Sequence, residues 1–256
     1  MGIDAAKSFS FKQIQVAVAG DVATVTLDRP EQRNALSQAL REELKEFLER
    51  FAPLVKVVVI TGAGKAFCAG MDLKEKVGFR EGEQQWGFFR SLFDADTVFV
   101  GAVNGSARGA GLTLISACDI AFAEPEADFG LPQITHGIYG GVATTMLQLS
   151  LPKKVVAELV LTGIPMSSSR AVDVGLINHV SPPGEALAMA QKIAARIASF
   201  EGRTLKIAKQ MIKSLPYDDA ARESAMRATR LATLENVPIA EDRVIDTRFG
   251  PKDSNA

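Results

Sequence analysis

"VKVVVITGAGKAFCAGMD", Val55 to Asp72, joins two opposed kinds of sequence. The run from Val55 to Thr61 is almost entirely β-branched and lies between Pro53 and Gly62. Such side chains suit a pleated surface and lose rotamer freedom in a helix. With no alternation of polar residues after Lys56, the run predicts a strand covered on both faces. A loop rich in glycine follows it directly. Glycine gives up more chain entropy on folding than any other residue, so the cluster implies that something approaches the backbone closely.

The same arrangement recurs downstream. "TVFVGAV" (97–103) reads as a second buried strand, and "NGSARGAG" (104–111) as a second glycine-rich loop. Between the two, "EGEQQWGFFRSLF" (81–93) reads as a helix. On the N-terminal side, "SQALREELKEFLERF" sets Leu40, Leu44, Phe47, Leu48 and Phe51 on one helical face, with Ser37 as its N-cap. Before it, "IQVAVAGDVATVTLDRP" alternates apolar residues about Gly20-Asp21, the pattern of a hairpin. "IAFA" (120–123) is a further short strand, and the segment through Gly141 is rich in turns. From Gly184 onward "GEALAMAQKIAARIASF", "TLKIAKQMIKSL" and "DDAARESAMRATRLATLE" all carry helical periodicity. The alternation predicts an α/β fold with ligands at the strand ends.

Composition narrows the function. The 256 residues hold 47% hydrophobic and 23% charged side chains, an ordinary globular mixture that can bury a substantial core. A net charge of −1, with no basic block interleaved with aromatics, argues against nucleic acid as a partner. The apolar runs are too short to cross a bilayer and no export signal opens the chain, so no membrane association and a cytoplasmic location are expected. Cys68 and Cys118 cannot build a disulfide framework. Beside only His136 and His179 they show no metal-ligand spacing, so no metal is expected and both read as buried thiols.

Familiar loop chemistries fail residue by residue. "GAGKA" has Ala66 where a phosphate loop needs Ser or Thr, and no GxGxxG occurs. "GSARG" is not the GxSxG of a nucleophile elbow. Two glycine-rich turns after neighbouring parallel strands can aim two backbone amides at one oxygen, an arrangement that stabilises a developing oxyanion. They can equally be tight strand-to-helix connections.

"LDRPEQRNALS", "VVVITGAGKAFCAGMDLKE", "AVNGSARGAGLTLISACDIAFAEPEADFGLP" and "ELVLTGIPMSSSRAVDVGLINHV" resemble, in order, the successive signatures of the enoyl-CoA hydratase/isomerase family, the crotonases. The resemblance covers roughly residues 14 to 215. It implies a crotonase-type spiral of ββα turns over residues 1–183 and a helical C-terminal oligomerisation region over 184–256. It also implies assembly as a homotrimer or a dimer of trimers. The substrate would be an acyl-CoA thioester, with coenzyme A arriving as part of the substrate and no separate cofactor.

Carried onto this chain, the AGxD motif is Ala69-Gly70-Met71-Asp72, which gives Met71 the first oxyanion-hole amide. The GGG motif is Gly109-Ala110-Gly111, which gives Ala110 the second. Coenzyme A contacts fall to Gln32, Arg33, Ala69 and Leu73. Asp72 and Asp119 take structural positions, Asp72 as a cap on "LKEKV". The departures are sharper than the matches. Where hydratases of the family carry two glutamates, this chain has Thr113 and Gln133. A hydroxyl and an amide hold water by hydrogen bonds but do not exchange its proton near neutral pH, so ordinary hydration should be weak. Tyr139, in place of the usual proline of the active-site turn, and His136 are the remaining candidates for orienting groups or moving protons. Arg108 is placed either to pair with an acyl carboxylate or to lie on the surface or between subunits. Glu241 to Ala256 replaces the family's usual last helix, and Lys206, Lys209 or Lys213 could stand in for its basic residue.

Two functions follow. One is a lyase- or isomerase-type enzyme working through a stabilised enolate on an acyl group that supplies its own acid or base, or that loses carbon dioxide. The other is a catalytically silent acyl-CoA-binding or assembly subunit.

Overall fold

The structure is a computed structural model and describes residues 11–75, 79–213 and 223. Strands β1 (Ile14–Ala19) and β2 (Val22–Leu27) form the expected hairpin, paired from Ile14 opposite Leu27 to Ala19 opposite Val22. Helix α1 (Gln38–Arg50) begins as its sequence predicts, with the Ser37 hydroxyl accepting from the Leu40 N–H at 3.2 Å. Such a cap stabilises a helix by about 1 kcal/mol. Then come β3 (Val57–Gly62), β4 (Ala66–Cys68), α2 (Phe79–Asp94), β5 (Val98–Val103), β6 (Ser106–Arg108) and α3 (Ala110–Ser116). After β7 (Ile120–Ala123) and β8 (Asp128–Gly130), a 3-10 turn (Pro132–His136) leads to α4 (Gly141–Gln148) and α5 (Lys153–Thr162). β9 (Met166–Ser167), α6 (Ser168–Asp173), β10 (His179–Val180), α7 (Ala186–Ala198) and α8 (Gly202–Lys213) follow.

Among the described residues the strands form two sheets, ordered β1-β2-β3-β5-β7-β10 and β4-β6-β8-β9. In the larger sheet every pairing after the hairpin is parallel. Helices flank these sheets, and α7 and α8 make up a helical C-terminal region, the arrangement of a crotonase-type spiral of ββα turns.

The β-branched run of β3 is covered on both faces, and its alternation divides the core. Val58 and Ile60 pack with Leu40, Leu44 and Phe47 of α1 and with Phe89 of α2. Val57 and Val59 face the other way, onto Ala190 and Ala194 of α7, together with Val98, Val100 and Ala102 of β5. Each such aliphatic side chain stabilises the fold by about 1.5–3 kcal/mol when fully buried. Helix α7 is held by Glu124 at the end of β7, whose carboxylate oxygens accept from the Gly184 and Ala186 N–H groups at 2.6 and 2.9 Å.

Helix α8 docks through Lys209, whose side chain is 4% exposed and whose ammonium bonds the Asp119 carboxylate and lies 5.1 Å from the centre of the Phe99 ring. Asp119 also accepts from the Phe99 N–H at 2.7 Å, so it joins β5, β7 and α8. Lys206 instead pairs with Asp96 at 2.8 Å. The helix expected over 218–235 lies outside the described residues apart from Glu223, as do residues 241–256 and the side chain of Lys213. No described helix is long and apolar enough to cross a membrane.

Candidate active site

Both glycine-rich loops contain short strands that the sequence did not announce. After β3 the chain runs into β4, and after β5 into β6, and these two pair in parallel as Ala66 opposite Ser106 and Cys68 opposite Ala107. β6 then pairs with β8 through Ala107 opposite Phe129 and Arg108 opposite Gly130. The loops therefore supply two of the four strands of the second sheet, and are not merely tight strand-to-helix connections. Their close packing accounts for much of the glycine. A methyl on Gly105 would lie 2.0 Å from the Lys65 carbonyl oxygen, and one on Gly111 would lie 2.4 Å from that of Cys68. What approaches these backbones is the other loop.

That contact brings the two expected donors together. Leu36 forms an isolated parallel bridge to Met71, with the Leu36 N–H donating to the Gly70 carbonyl at 2.7 Å and the Asp72 N–H to the Leu36 carbonyl at 3.3 Å. A parallel bridge uses the groups on either side of its central residue, so the Met71 N–H is left outside the pairing. Ala110 is the first residue of α3, a position whose N–H no helix can satisfy internally. Among the described residues neither amide has an acceptor. Gly70, at φ 96°, lies between them. A methyl there would be 2.8 Å from the Arg108 carbonyl oxygen and 3.5 Å from the Ala110 nitrogen.

The segment after Arg29-Pro30 is stapled to the Met71 loop. Arg33 and Asn34 both adopt left-handed backbone conformations, at φ 50° and 55°. Asn34 is fully buried, accepts from the Arg29 N–H, and donates to the Ala63 and Ala66 carbonyls at 2.9 and 2.8 Å. Sequence reading passed over this residue. Its only signal was that Asn tolerates the left-handed region better than most. The Arg33 carbonyl accepts from the Ala69 N–H at 2.9 Å. Gln32 and Arg33 are exposed and Leu73 is 60% exposed, so three of the four expected coenzyme A contacts present their side chains to solvent.

Asp72 departs from expectation. Leu73 and Lys74 form a turn, Lys76 and Val77 of the expected helix lie outside the described residues, and the carboxylate accepts from Arg29 Nη1 at 3.0 Å and from the Lys74 N–H at 3.2 Å. Burial alone would raise its pKa. The bonds from Arg29 and Lys74, with their positive charges, outweigh burial and hold it below the ordinary carboxylate value. Arg29 also donates to the Ala35 carbonyl, so the ion pair braces the chain immediately after Met71.

The positions of the missing glutamates meet at Gly109. Thr113 is fully buried, its hydroxyl 3.5 Å from the Gly109 carbonyl, at the far limit of a hydrogen bond. Gln133 stands on the 3-10 turn with its amide nitrogen only 3.0 Å from where a Gly109 methyl would sit and 2.6 Å from where a Gly140 methyl would sit. Its Oε1 is buried and has no hydrogen-bond partner among the described residues. Beside it lies a hollow of about 20 Å³, room for one water molecule, lined by Gln133, Tyr139, Gly140, Thr144, Leu131 and Val160 among others. Tyr139 is 42% exposed at its rim. His136, on the same turn, does not line it.

Arg108 is engaged within the chain, with Nη1 donating to the Asp128 carbonyl at 2.9 Å and Nη2 bonded to the Asp128 carboxylate. Burial raises the Cys68 thiol to about 12 against a weaker bond from the Gly70 N–H. Burial, aided by the negative charge of Asp119, does the same for Cys118. Among the described residues no group of three His, Cys, Asp or Glu could hold a metal.

Comparison with known proteins identifies the family. The family model described as enoyl-CoA hydratase/isomerase matches residues 18–242. The chain is similar to a carnitinyl-CoA hydratase from Mycobacterium avium, with 36% identity, a TM-score of 0.76, and coverage of 88% of this chain and 90% of that one. It is also similar to an enoyl-CoA hydratase from Bacillus anthracis, at 31% identity and a TM-score of 0.76, over 91% and 93% of the two chains. The 2,3-dehydroadipyl-CoA hydratase of Escherichia coli K12 is 35% identical over 75% of this chain and 78% of its own. The extent of the family match and these relatives together establish that the chain belongs to the enoyl-CoA hydratase/isomerase family.

Proposed function

We propose that the protein binds an acyl-CoA thioester with its carbonyl oxygen between the Met71 and Ala110 amides, and that these donors stabilise the enolate formed from it. Family membership supports an acyl-CoA-acting enzyme of the crotonase type. The observation that carries the finer reading is the pair of amides without acceptors, on loops in contact at Gly70. Donors prearranged in a desolvated site contribute most where negative charge develops, and one such donor is worth about 3–4 kcal/mol to a transition state.

Several relatives are named as hydratases, but Thr113 and Gln133 supply no proton-transfer group where that chemistry uses glutamates. The reaction is therefore of the lyase or isomerase type, on an acyl group that brings its own acid or base, or that leaves an enolate by losing carbon dioxide. Gln133 positions a water or substrate oxygen, Tyr139 orients the acyl group at the rim, and His136 keeps the lesser claim of a group on the same turn. Gln32, Arg33, Ala69 and Leu73 carry coenzyme A, with the Arg33 guanidinium suited to a phosphate. Family membership supports assembly as a homotrimer or a dimer of trimers.

Acetoacetyl-CoA, which carries an enolisable thioester, tests the donor pair. Calorimetry should show tighter binding than for free coenzyme A, and equal or no binding at millimolar ligand would overturn the proposal. Following the absorbance of crotonyl-CoA should show slow hydration or none. The second reading, a silent binding or assembly subunit, is favoured by Thr113 and Gln133 standing in place of both glutamates. It prevails if enoyl-, malonyl-type and aromatic acyl-CoAs all bind and none turns over.

A further inference from the structure

We propose that Arg108 is a positioning residue, and that its ion pair with Asp128 sets the spacing between the two amide donors. The proposal rests on the reading of Met71 and Ala110 as those donors. Arg108 occupies the last position of β6, and the Gly109 that follows, at φ 51° and ψ −115°, turns the chain so that the next amide is that of Ala110. The peptide of Arg108 therefore lies between the two loops. Its carbonyl oxygen presses on Gly70, the residue before Met71.

The side chain of Arg108 points the opposite way, across β8. Its guanidinium bonds both the carbonyl and the carboxylate of Asp128, and its Cδ lies 3.5 Å from where a Gly130 methyl would sit. Backbone pairing between β6 and β8 is short, with Arg108 opposite Gly130 and the Gly109 N–H on the Gly130 carbonyl at 2.9 Å. Two residues of ladder fix a register weakly, and a two-point contact from guanidinium to the neighbouring strand resists both sliding and splaying.

Among the described residues Asp128 has one partner for its carboxylate. Oδ2 takes the Arg108 bond, while Oδ1 is buried without any. Among the described residues no second donor competes for the orientation of this carboxylate, so Arg108 sets it. The two side chains are 23% and 34% exposed, and an ion pair that open to water contributes little to global stability. Its effect is expressed in geometry: an oxyanion donor displaced by a fraction of an ångström loses much of its value while the fold persists.

Calorimetry on the full chain, with acetoacetyl-CoA and free coenzyme A as separate probes, tests this for Arg108→Leu and for the isosteric Asp128→Asn. Each variant should bind acetoacetyl-CoA about tenfold more weakly, bind coenzyme A as the wild type does, and melt within a few degrees of it. Asp128→Asn alone decides the matter if Arg108→Leu fails to fold. Wild-type affinity for acetoacetyl-CoA in the variants overturns the positioning role, and so does an equal loss for both ligands, which marks a general structural defect. If the wild type itself shows no preference for acetoacetyl-CoA over coenzyme A, the donor reading falls and this proposal with it.

Discussion

Replacing Gly70 with alanine separates the packing of the two loops from every side chain that could touch a ligand. The new Cβ would lie 2.8 Å from the Arg108 carbonyl oxygen, against the 3.4 Å at which ordinary contact begins, so the loops must part by about 0.6 Å. The oxygen is backbone, in the strand that carries Ala110, and cannot swing aside as a flexible side chain would. Overpacking of this kind costs about 1–3 kcal/mol. A φ of 96° adds about 1–2 kcal/mol for a residue with a Cβ. Together these predict a loss of roughly 3 kcal/mol, or about 6–12 °C in melting temperature for a domain of this size. Gly20→Ala is the control, because its φ of 58° carries the conformational cost while no atom lies within 4 Å of the added methyl. Thermal and urea denaturation measure both variants, and calorimetry with acetoacetyl-CoA reads the donors, which tolerate only about 0.5 Å of displacement. If Gly70→Ala melts within two or three degrees of Gly20→Ala and binds acetoacetyl-CoA normally, the loops are not in the register described and the reasoning fails.

Three other measurements bear on the site. Gln133→Glu introduces a proton-transfer group beside the hollow lined by Tyr139, and crotonyl-CoA hydration should rise at least about tenfold; an unchanged rate would show that position 133 does not face the acyl group. The depressed pKa of Asp72 contributes stability that is fully present above the unfolded-state value of about 3.9 and is lost as pH falls through the lower folded value. Urea titrations between about pH 6 and pH 2 should therefore show a shallower acid loss for Asp72→Asn, and parallel curves would remove the carboxylate from that role. With its buried thiol pushed up to about 12, Cys68 should resist a thiol reagent at pH 8 in the native protein and react fully in denaturant, whereas rapid native labelling of Cys68 would contradict its burial.

Long regular elements were legible because their signal is local. The β-branched run of β3 predicted cover on two faces, and the alternation of Val57 and Val59 against Val58 and Ile60 delivers it. Ser37 stands where α1 begins because an N-cap is a property of a few consecutive residues. Strands β4, β6, β8 and β9, of two or three residues each, were not legible, since so short a run has no periodicity and exists only by pairing with distant chain. Asp72 was read as a helix cap for a related reason. Its partner Arg29 lies 43 residues earlier, beyond the reach of any local pattern.

Read alone, the sequence settled the identities that limit the chemistry. It placed a hydroxyl at Thr113 and an amide at Gln133, and no folding event turns either into a proton-transfer group near neutral pH. Tertiary structure decided which groups face one another. It buried Thr113, set Gln133 and Tyr139 on one hollow without His136, tied Arg108 to Asp128, and left the Met71 and Ala110 amides without acceptors among the described residues. Every residue but proline carries the same N–H, so a backbone donor has no signature in sequence, and only the packing of distant strands determines where it points.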